Sequence, residues 1–435
     1  MNSIEKLKRL TGENIKTPTE PTEKNEKLSD LRRRIDDIMS RPHKYNQDAA
    51  NRRMNAAADK LKELVSGEEI ENDYGKFFLI SDFVRGSCRH GHRNISEAYD
   101  FDMTAAALLA NNPGISGFSC SDALFLDTET TGLAGGTGTM AFLIGLGWFE
   151  GCHFHVRQIL ARDFGEEKAA LAHLAAIAGQ KKFLVTFNGK AFDINLLVTR
   201  FIMNRLEGGL ASLPHLDLLH PARRILGHRL ANSRLVTLEA EILGVMREGD
   251  VPGWEIPQRY FDWLKRRDPR LLTGIFEHNR LDVISMATLT AHLTEIVTTR
   301  TLIKNTHIDD FLAAAHLLLN RRDMQGTGKI LSMFNEQSCM DFSPPSKKKL
   351  ASLYKRTGRL NEAVHIWQEM VACQPPDYCA VSELAKWLEH RVSDFRQAKT
   401  LVENALQQDN LFSAKEKESL RHRLKRLHSK AGDGR

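Results

Sequence analysis

The sequence lacks several features that would place a protein in a class at once. No apolar run reaches the roughly 20 residues of a membrane-spanning helix, and the N-terminal stretch has no apolar core of the signal-peptide kind. The six cysteines are scattered and form no C-x-x-C pair, which argues against a zinc ribbon or an iron–sulfur cluster. Together these absences predict a cytoplasmic protein with reduced cysteines.

What remains is the composition of an ordinary globular protein, with 42% hydrophobic and 27% charged residues in a chain of 435. At roughly 150 residues per domain, this length predicts two or three domains. The net charge of +6 is compatible with a polyanionic partner such as nucleic acid, but mild basicity is common and identifies no partner by itself.

The distribution of apolar residues divides the chain into three regions. Residues 1–70 are polar with charges of both signs, which predicts exposed helix and linker rather than a core. Residues 71–300 predict an α/β domain with a mixed sheet flanked by helices, because strands first follow one another and then alternate with helices. Residues 308–426 predict an all-α domain.

Local patterns place the individual elements of the α/β domain. The expected strands lie at 77–80, 123–128, 139–149, 152–161 and 182–187, and the expected helices at 165–178, 191–206, 235–243 and 271–295. Glu150-Gly151 separates two of these strands and predicts a hairpin.

The helical region contains an internal repeat. Leu350-Ala-Ser-Leu-Tyr354 recurs as Leu384-Ala-Lys-Trp-Leu388, at an offset of 384 − 350 = 34 residues, and a degenerate third copy begins near Ala315. A helix–turn–helix period of this length resembles tetratricopeptide repeats, which stack and bind partner proteins. The alternative is an irregular helical domain without a true repeat.

Three segments of the α/β domain place acidic residues where they can converge. Asp127 and Glu129 end an apolar strand and, two residues apart, point to the same side. Asp193 follows another apolar strand and falls in the first turn of a predicted helix. His278 and Asp282 are four residues apart in a predicted helix and share one face.

Each segment alone has an ordinary explanation. Asp193 could be a solvated residue favoured by the helix dipole, and His278 with Asp282 could be a surface or packing pair. Together, four acids with a single histidine and no thiolate predict an oxygen-rich site for Mg²⁺ or Mn²⁺. Two such ions about 4 Å apart can clamp a phosphodiester, and histidine, with an ordinary pKa of about 6.5, suits a general base.

These three motifs resemble those of the DEDD superfamily of 3′–5′ exonucleases, which have a ribonuclease H-like fold. Over residues 75–295 the chain also resembles the YprB-type ribonuclease H-like proteins, predicted bacterial nucleases of which some carry C-terminal tetratricopeptide repeats. The further stretches that support this resemblance are His215–Leu219, Ser233–Glu239, Asp250–Gly253 and Glu277–Val283.

The resemblance implies an exonuclease that acts on DNA or RNA, at a single strand or a 3′ end. It implies that Asp127, Glu129, Asp193 and Asp282 hold two metal ions and that His278 helps to deprotonate the attacking water. It also implies substrate contacts from Thr131, Leu133 and Asn188. One feature departs from the superfamily, which has tyrosine four positions or histidine five positions before the last aspartate. Here histidine stands at the tyrosine spacing, since 282 − 278 = 4.

Two other charged features have structural explanations. Asp217 is expected to cap the helix that follows it rather than to bind metal. The basic run from Arg421 to Lys430 is expected to be a solvated helix end rather than a surface for nucleic acid.

A second class of function stays open from the sequence. In that alternative the repeats act as a scaffold or adaptor, and the nuclease-like domain binds nucleic acid without cleaving it. Four converging acids argue against this alternative, because binding alone has no chemical need for them.

Overall fold

A computed structural model describes residues 61–132, 138–299, 307–334, 342–373, 375–408 and 412–432. Most of the polar region expected at residues 1–70 therefore lies outside the described residues, and so does Leu133. No helix in these ranges has a stretch long and apolar enough to cross a membrane.

The described strands form one large sheet and one small hairpin. They are β1 (Gly67–Asn72), β2 (Gly75–Arg85), β3 (Arg89–His90), β4 (Arg93–Asn94), β5 (Ala123–Thr130), β6 (Ala141–Glu150), β7 (His153–Leu160), β8 (Phe183–Thr186) and β9 (His215–Asp217). The seven-stranded sheet has the order β1-β2-β7-β6-β5-β8-β9, and β3 pairs with β4. Strands from β1 to β5 in that order pair antiparallel, whereas β5, β8 and β9 are parallel.

This mixed sheet confirms the predicted fold class. The four strands predicted between residues 123 and 187 are present as β5 to β8, and β6 and β7 form the expected hairpin. All four residues of β8 and nine of the ten residues of β6 are buried. Runs that are apolar on both faces arise because helices cover both sides of the sheet.

Seven α-helices of this domain are described. They are α1 (Met103–Ala110), α2 (Glu167–Ala178), α3 (Asp193–Met203), α4 (Leu219–Leu226), α5 (Leu235–Leu238), α6 (Ile256–Arg266) and α7 (Arg270–Thr298). One core contains residues of α2, α3 and α6, and the other contains residues of α1 and α4. The long helix α7 contributes Leu272 and Phe276 to the first core and residues from Val283 onward to the second.

Two glycines of β6 allow α7 to lie close to the sheet. A Cβ atom at Gly145 would collide with the side chain of Asn279, and one at Gly147 would collide with Val283 and Phe154. Any larger residue would push α7 away from the sheet. The close approach brings the middle of α7 to the part of β5 that carries Asp127.

The described part of the tail is all helical, as predicted. Its helices are α8 (Ile308–Asn320), α9 (Met324–Leu331), α10 (Pro344–Arg356), α11 (Leu360–Ala372), α12 (Tyr378–Trp387), α13 (Phe395–Leu406) and α14 (Ala414–Gly432). These helices form pairs that repeat at similar intervals. The first helices of successive pairs begin 344 − 308 = 36 and 378 − 344 = 34 residues apart, and the second helices α11 and α13 begin 395 − 360 = 35 residues apart. Helix α8 packs on α4, and the apolar core of the tail is continuous with one core of the α/β domain.

The basic run at the end of the chain has a structural role that the sequence did not indicate. Glu389 is buried, and its carboxylate accepts hydrogen bonds from Arg423 at 2.7 Å, Arg426 at 2.9 Å and Lys430 at 2.9 Å. The expectation of a merely solvated helix end was therefore wrong for these three residues, which bind one buried acid within the tail.

Candidate active site

An acidic cleft lies where β5 and α3 meet. It has a volume of about 420 Å³, and Asp127, Glu129 and Asp193 line it. The first four residues of β5 are fully buried and the next four are half-buried. The strand therefore anchors itself in the core and then presents Asp127 and Glu129 to the cleft.

Asp193 reaches the same cleft from the first turn of α3. Its Oδ1 atom accepts a hydrogen bond of 2.5 Å from the hydroxyl of Thr128, which lies between the two acids of β5. Burial raises the pKa of Asp193 to about 6, although the hydrogen bond from Thr128 opposes that change. Thr128 thus holds the carboxylate of Asp193 in place beside the two acids of β5.

The electrostatics show that the fourth acid, Asp282, belongs to this cluster. Burial raises the pKa of Asp127 well above its ordinary value, and the charges of Asp282, Glu129 and Asp193 raise it further. Burial and the charges of Asp282 and Asp193 act in the same way on the pKa of Glu129. Residues from all three sequence motifs therefore lie close enough for their carboxylates to repel one another.

His278 lies beside the acids on the same face of α7 as Asp282. Its Nε2 atom is 3.7 Å from Oδ2 of Asp282 and 4.0 Å from Oε1 of Glu129. The four-residue spacing on a helix therefore brings the imidazole to the acidic cleft.

Asn279, the next residue of α7, holds Asp127. Its Nδ2 atom donates a hydrogen bond of 2.8 Å to Oδ2 of Asp127, while its Oδ1 atom accepts one of 2.9 Å from Gln158. Gln158 also donates to the carbonyl oxygen of Phe276 at 2.8 Å. The amide of Asn279 is thereby fixed in orientation, with its NH₂ group towards the carboxylate.

Arg247 is a second residue that the sequence reasoning missed. Its guanidinium group, only 3% exposed, donates two hydrogen bonds of 2.6 Å to the buried Glu239 and a further one to Asp282. Burial would lower the pKa of Arg247, but hydrogen bonds and charges from Glu239 and Asp282 outweigh burial and raise it. Arg247 thus places a permanent positive charge against one of the four acids.

Asp250 completes this network. Its Oδ1 atom lies 2.8 Å from Nδ1 of His278, and its Oδ2 atom accepts a hydrogen bond of 3.3 Å from Arg247. Both Asp250 and Arg247 lie in the irregular segment between the π-helical turn Glu239–Leu243 and α6. The stretch from Asp250 to Gly253 supported the family resemblance, but nothing in its pattern indicated a role beside His278.

Two of the residues expected to contact substrate, Thr131 and Asn188, do not line the acidic cleft. Of the described residues, those that line the cleft include Thr130 and Gly132 but neither Thr131 nor Asn188. Thr131 is 1% exposed, and its hydroxyl accepts a hydrogen bond from the Met140 amide. The predicted roles of Thr131, Leu133 and Asn188 stay predictions.

The structure gives Asn188 a backbone role. Its φ of 67° is left-handed, a conformation that asparagine tolerates better than most residues. Asp217 accepts hydrogen bonds from the amides of Asn188 at 2.8 Å, Lys190 at 3.1 Å and Leu219 at 3.1 Å. The expectation that Asp217 caps α4 was wrong in detail, because the N-cap position is Leu218 and has no side-chain cap. Asp217 instead bonds to the first amide of α4 and holds the loop that leads to Asp193.

Two comparisons place the chain among known proteins. Residues 124–294, which run from β5 into α7, match the ribonuclease H superfamily. The chain is also 34% identical to the uncharacterised protein YprB of Bacillus subtilis (strain 168) over 355 residues, which are 79% of this chain and 84% of that protein. By this fold and this similarity, the chain belongs to the YprB family of ribonuclease H-like proteins.

Proposed function

We propose that the protein is a cytoplasmic, metal-dependent 3′–5′ exonuclease that hydrolyses phosphodiester bonds of DNA or RNA. The observation that carries this proposal is the convergence of four acids. Asp127, Glu129 and Asp193 line one cleft and have raised pKa values, and Asp282 lies close enough to raise the pKa of the first two. Burying carboxylates together is unfavourable unless a cation compensates their charge. A cluster of this kind is therefore better explained by a catalytic metal site than by folding.

The donor set fits magnesium or manganese. The four carboxylates would supply oxygen ligands alone, which these hard cations prefer, and none of the described residues that line the cleft is a cysteine, whose thiolate favours zinc. Two bound ions would activate the attacking water and stabilise the leaving oxygen. The hydrogen bonds from Thr128 to Asp193 and from Asn279 to Asp127 hold two of the ligands in place beforehand.

His278 is the group that would take a proton from the attacking water. Its Nε2 atom points towards Glu129 and Asp282, where the water must lie to reach a phosphodiester held at the acids. The 3′–5′ direction of attack comes from the resemblance to DEDD exonucleases. Residues 71–300 would form this nuclease domain, and residues 308–426 a tetratricopeptide-like domain for a protein partner, supported by helix pairs that repeat at 34 to 36 residues.

One observation favours the adaptor alternative. Arg247 already neutralises part of the charge of Asp282 without a metal ion. In a protein that binds nucleic acid without cleaving it, such an internal cation could replace a catalytic one. The other three acids are left without a comparable cation in the described structure, so the nuclease is the better supported function.

Hydrolysis of labelled single strands tests the proposal. The parent protein with Mn²⁺ should release a labelled mononucleotide from a 3′-labelled strand, and EDTA should abolish the release. Asp127→Asn should be inactive, whereas Asp82→Asn, a change at an acid that pairs with Arg280, should cleave like the parent. If the parent binds the strand but does not cleave it with either Mn²⁺ or Mg²⁺, the adaptor alternative is favoured. Release of long fragments instead of mononucleotides would contradict an exonuclease.

A further inference from the structure

The two ring nitrogens of His278 face different partners. Nδ1 lies 2.8 Å from Oδ1 of Asp250, within hydrogen-bonding distance. Nε2 lies 3.7 Å from Asp282 and 4.0 Å from Glu129, too far for a direct hydrogen bond. One side of the imidazole is therefore bound to the protein, and the other faces the acidic cleft.

These contacts determine where the proton of a neutral ring must lie. An ionised carboxylate can only accept a hydrogen bond, so the bond to Asp250 requires the hydrogen on Nδ1. Nε2 then carries a lone pair. The NH1 group of Arg247 lies 3.3 Å from the same Nδ1 atom and, because a guanidinium can only donate, would favour an unprotonated Nδ1. The contact of Nδ1 with the Asp250 carboxylate is shorter, at 2.8 Å, and therefore decides the tautomer, while NH1 also donates to Asp250 at 3.3 Å. Two donors thus share one carboxylate.

Asp250 is itself held firmly. Arg247, which bonds to it, is fixed by two hydrogen bonds to Glu239, whose side chain is fully buried. The next residue, Val251, is buried in the core and packs against Gly274 of α7. A side chain at position 274 would collide with Val251. Asp250 therefore cannot easily turn away from His278.

We propose that Asp250 is a positioning residue that holds His278 in the Nδ1–H tautomer, with Nε2 as the proton acceptor. This proposal rests on the proposed nuclease function. The attacking water gives one proton to Nε2, and its oxygen forms a bond to phosphorus while the bond from phosphorus to the 3′ oxygen of the preceding nucleotide breaks. That oxygen takes a proton from solvent, and the imidazolium with its two N–H groups lies between Asp250 and the acidic pair.

Nitrogen NMR of the metal-free parent protein tests the tautomer without any turnover. The protein has 17 histidines, so the signals of His278 are identified by their loss in His278→Gln. Spectra are recorded at a pH high enough that the ring shifts no longer change. We expect a protonated Nδ1 and an unprotonated Nε2. A protonated Nε2 in the neutral ring would overturn the proposal, whether or not the protein proves to be a nuclease.

Asp250→Asn then tests the consequence for catalysis. The amide has the same shape but no charge, and its NH₂ group can donate to Nδ1, so the Nε2–H tautomer should gain population. Turnover should fall roughly 10- to 100-fold, the usual effect of losing such an outer partner, with KM and Mn²⁺ affinity unchanged. Asp82→Asn is the matched control, because its carboxylate bonds to Arg280 of the same helix at 2.8 Å.

The His278→Ala background separates this role from a merely structural one. If Asp250 acts through His278, Asp250→Asn should cause no further loss of turnover there. An equal loss in both backgrounds, or weaker Mn²⁺ binding, would mean that Asp250 acts through Arg247 and Asp282 instead, and would overturn the proposal. Failure of the parent to hydrolyse any strand would remove the nuclease function, and the NMR result would still decide the tautomer.

Discussion

Replacing Arg247 with methionine should destabilise the protein strongly. The change removes both hydrogen bonds to Glu239, whose side chain is fully buried, and the bonds to Asp250 and Asp282. Removing one partner of a buried ion pair usually lowers the free energy of unfolding by about 3–5 kcal/mol, because the other charge stays buried without compensation. We expect a loss of this size for Arg247→Met in the metal-free protein.

The measurement is urea-induced unfolding followed by far-UV circular dichroism in EDTA. Arg280→Met is the matched control, because Arg280 also pairs with an aspartate but both side chains are partly exposed. Such a pair contributes about 0–1 kcal/mol. Adding Glu239→Leu to Arg247→Met should restore part of the lost stability, since it removes the fully buried charge of Glu239 but leaves those of Asp250 and Asp282. If Arg247→Met and Arg280→Met unfold at the same urea concentration, the network around Arg247 does not contribute as described.

The structure makes three further predictions. His278→Ala should lose roughly 10²–10⁴-fold in single-turnover cleavage, the usual contribution of a general base, and His278→Tyr should retain more activity; parent-like rates in the alanine variant would refute the assignment. Burial raises the pKa of Glu389, but hydrogen bonds from basic residues outweigh it and hold that pKa at about 2, below the ordinary 4.5. Its stabilising effect is therefore full above pH 4.5 and lost as the pH falls towards 2, so acid unfolding of the tail should begin at higher pH in Glu389→Gln; identical curves would contradict this. A fragment ending at residue 299 should aggregate more than one ending at 334, because α8 covers apolar residues of α4; equal solubility by size-exclusion chromatography would refute that.

Much of the fold follows from local sequence. Strands β6 and β8 were predictable because they are apolar on both faces, and β5 because its first half is. Strand β7 was predictable because buried and half-buried residues alternate along most of it after the turn at Glu150-Gly151. The three residues of β9 are too few to show a period, so the strand was not predicted. The edge strand β1, with the sequence GEEIEN, was missed because most of its residues are polar and exposed or half-buried.

The acids of the site were predictable because each lies at a defined place on a strand or helix. Their supporting residues were not. Asn279 follows His278 directly, and helical spacing gives no reason to connect it with Asp127, 152 residues earlier. Arg247 and Asp250 lie in a segment without helical or strand periodicity, so only the folded chain brings them to Glu239 and His278.

Titration of the metal-free protein with Mn²⁺, followed by electron paramagnetic resonance, tests the assignment of the four carboxylates most directly. The parent should bind two ions per chain, and Asp127→Asn and Asp193→Asn should each bind fewer or bind more weakly, while Asp82→Asn binds like the parent. Tight binding of zinc without a site for Mn²⁺ or Mg²⁺, or unchanged Mn²⁺ binding in both active-site variants, would contradict the proposed metal site.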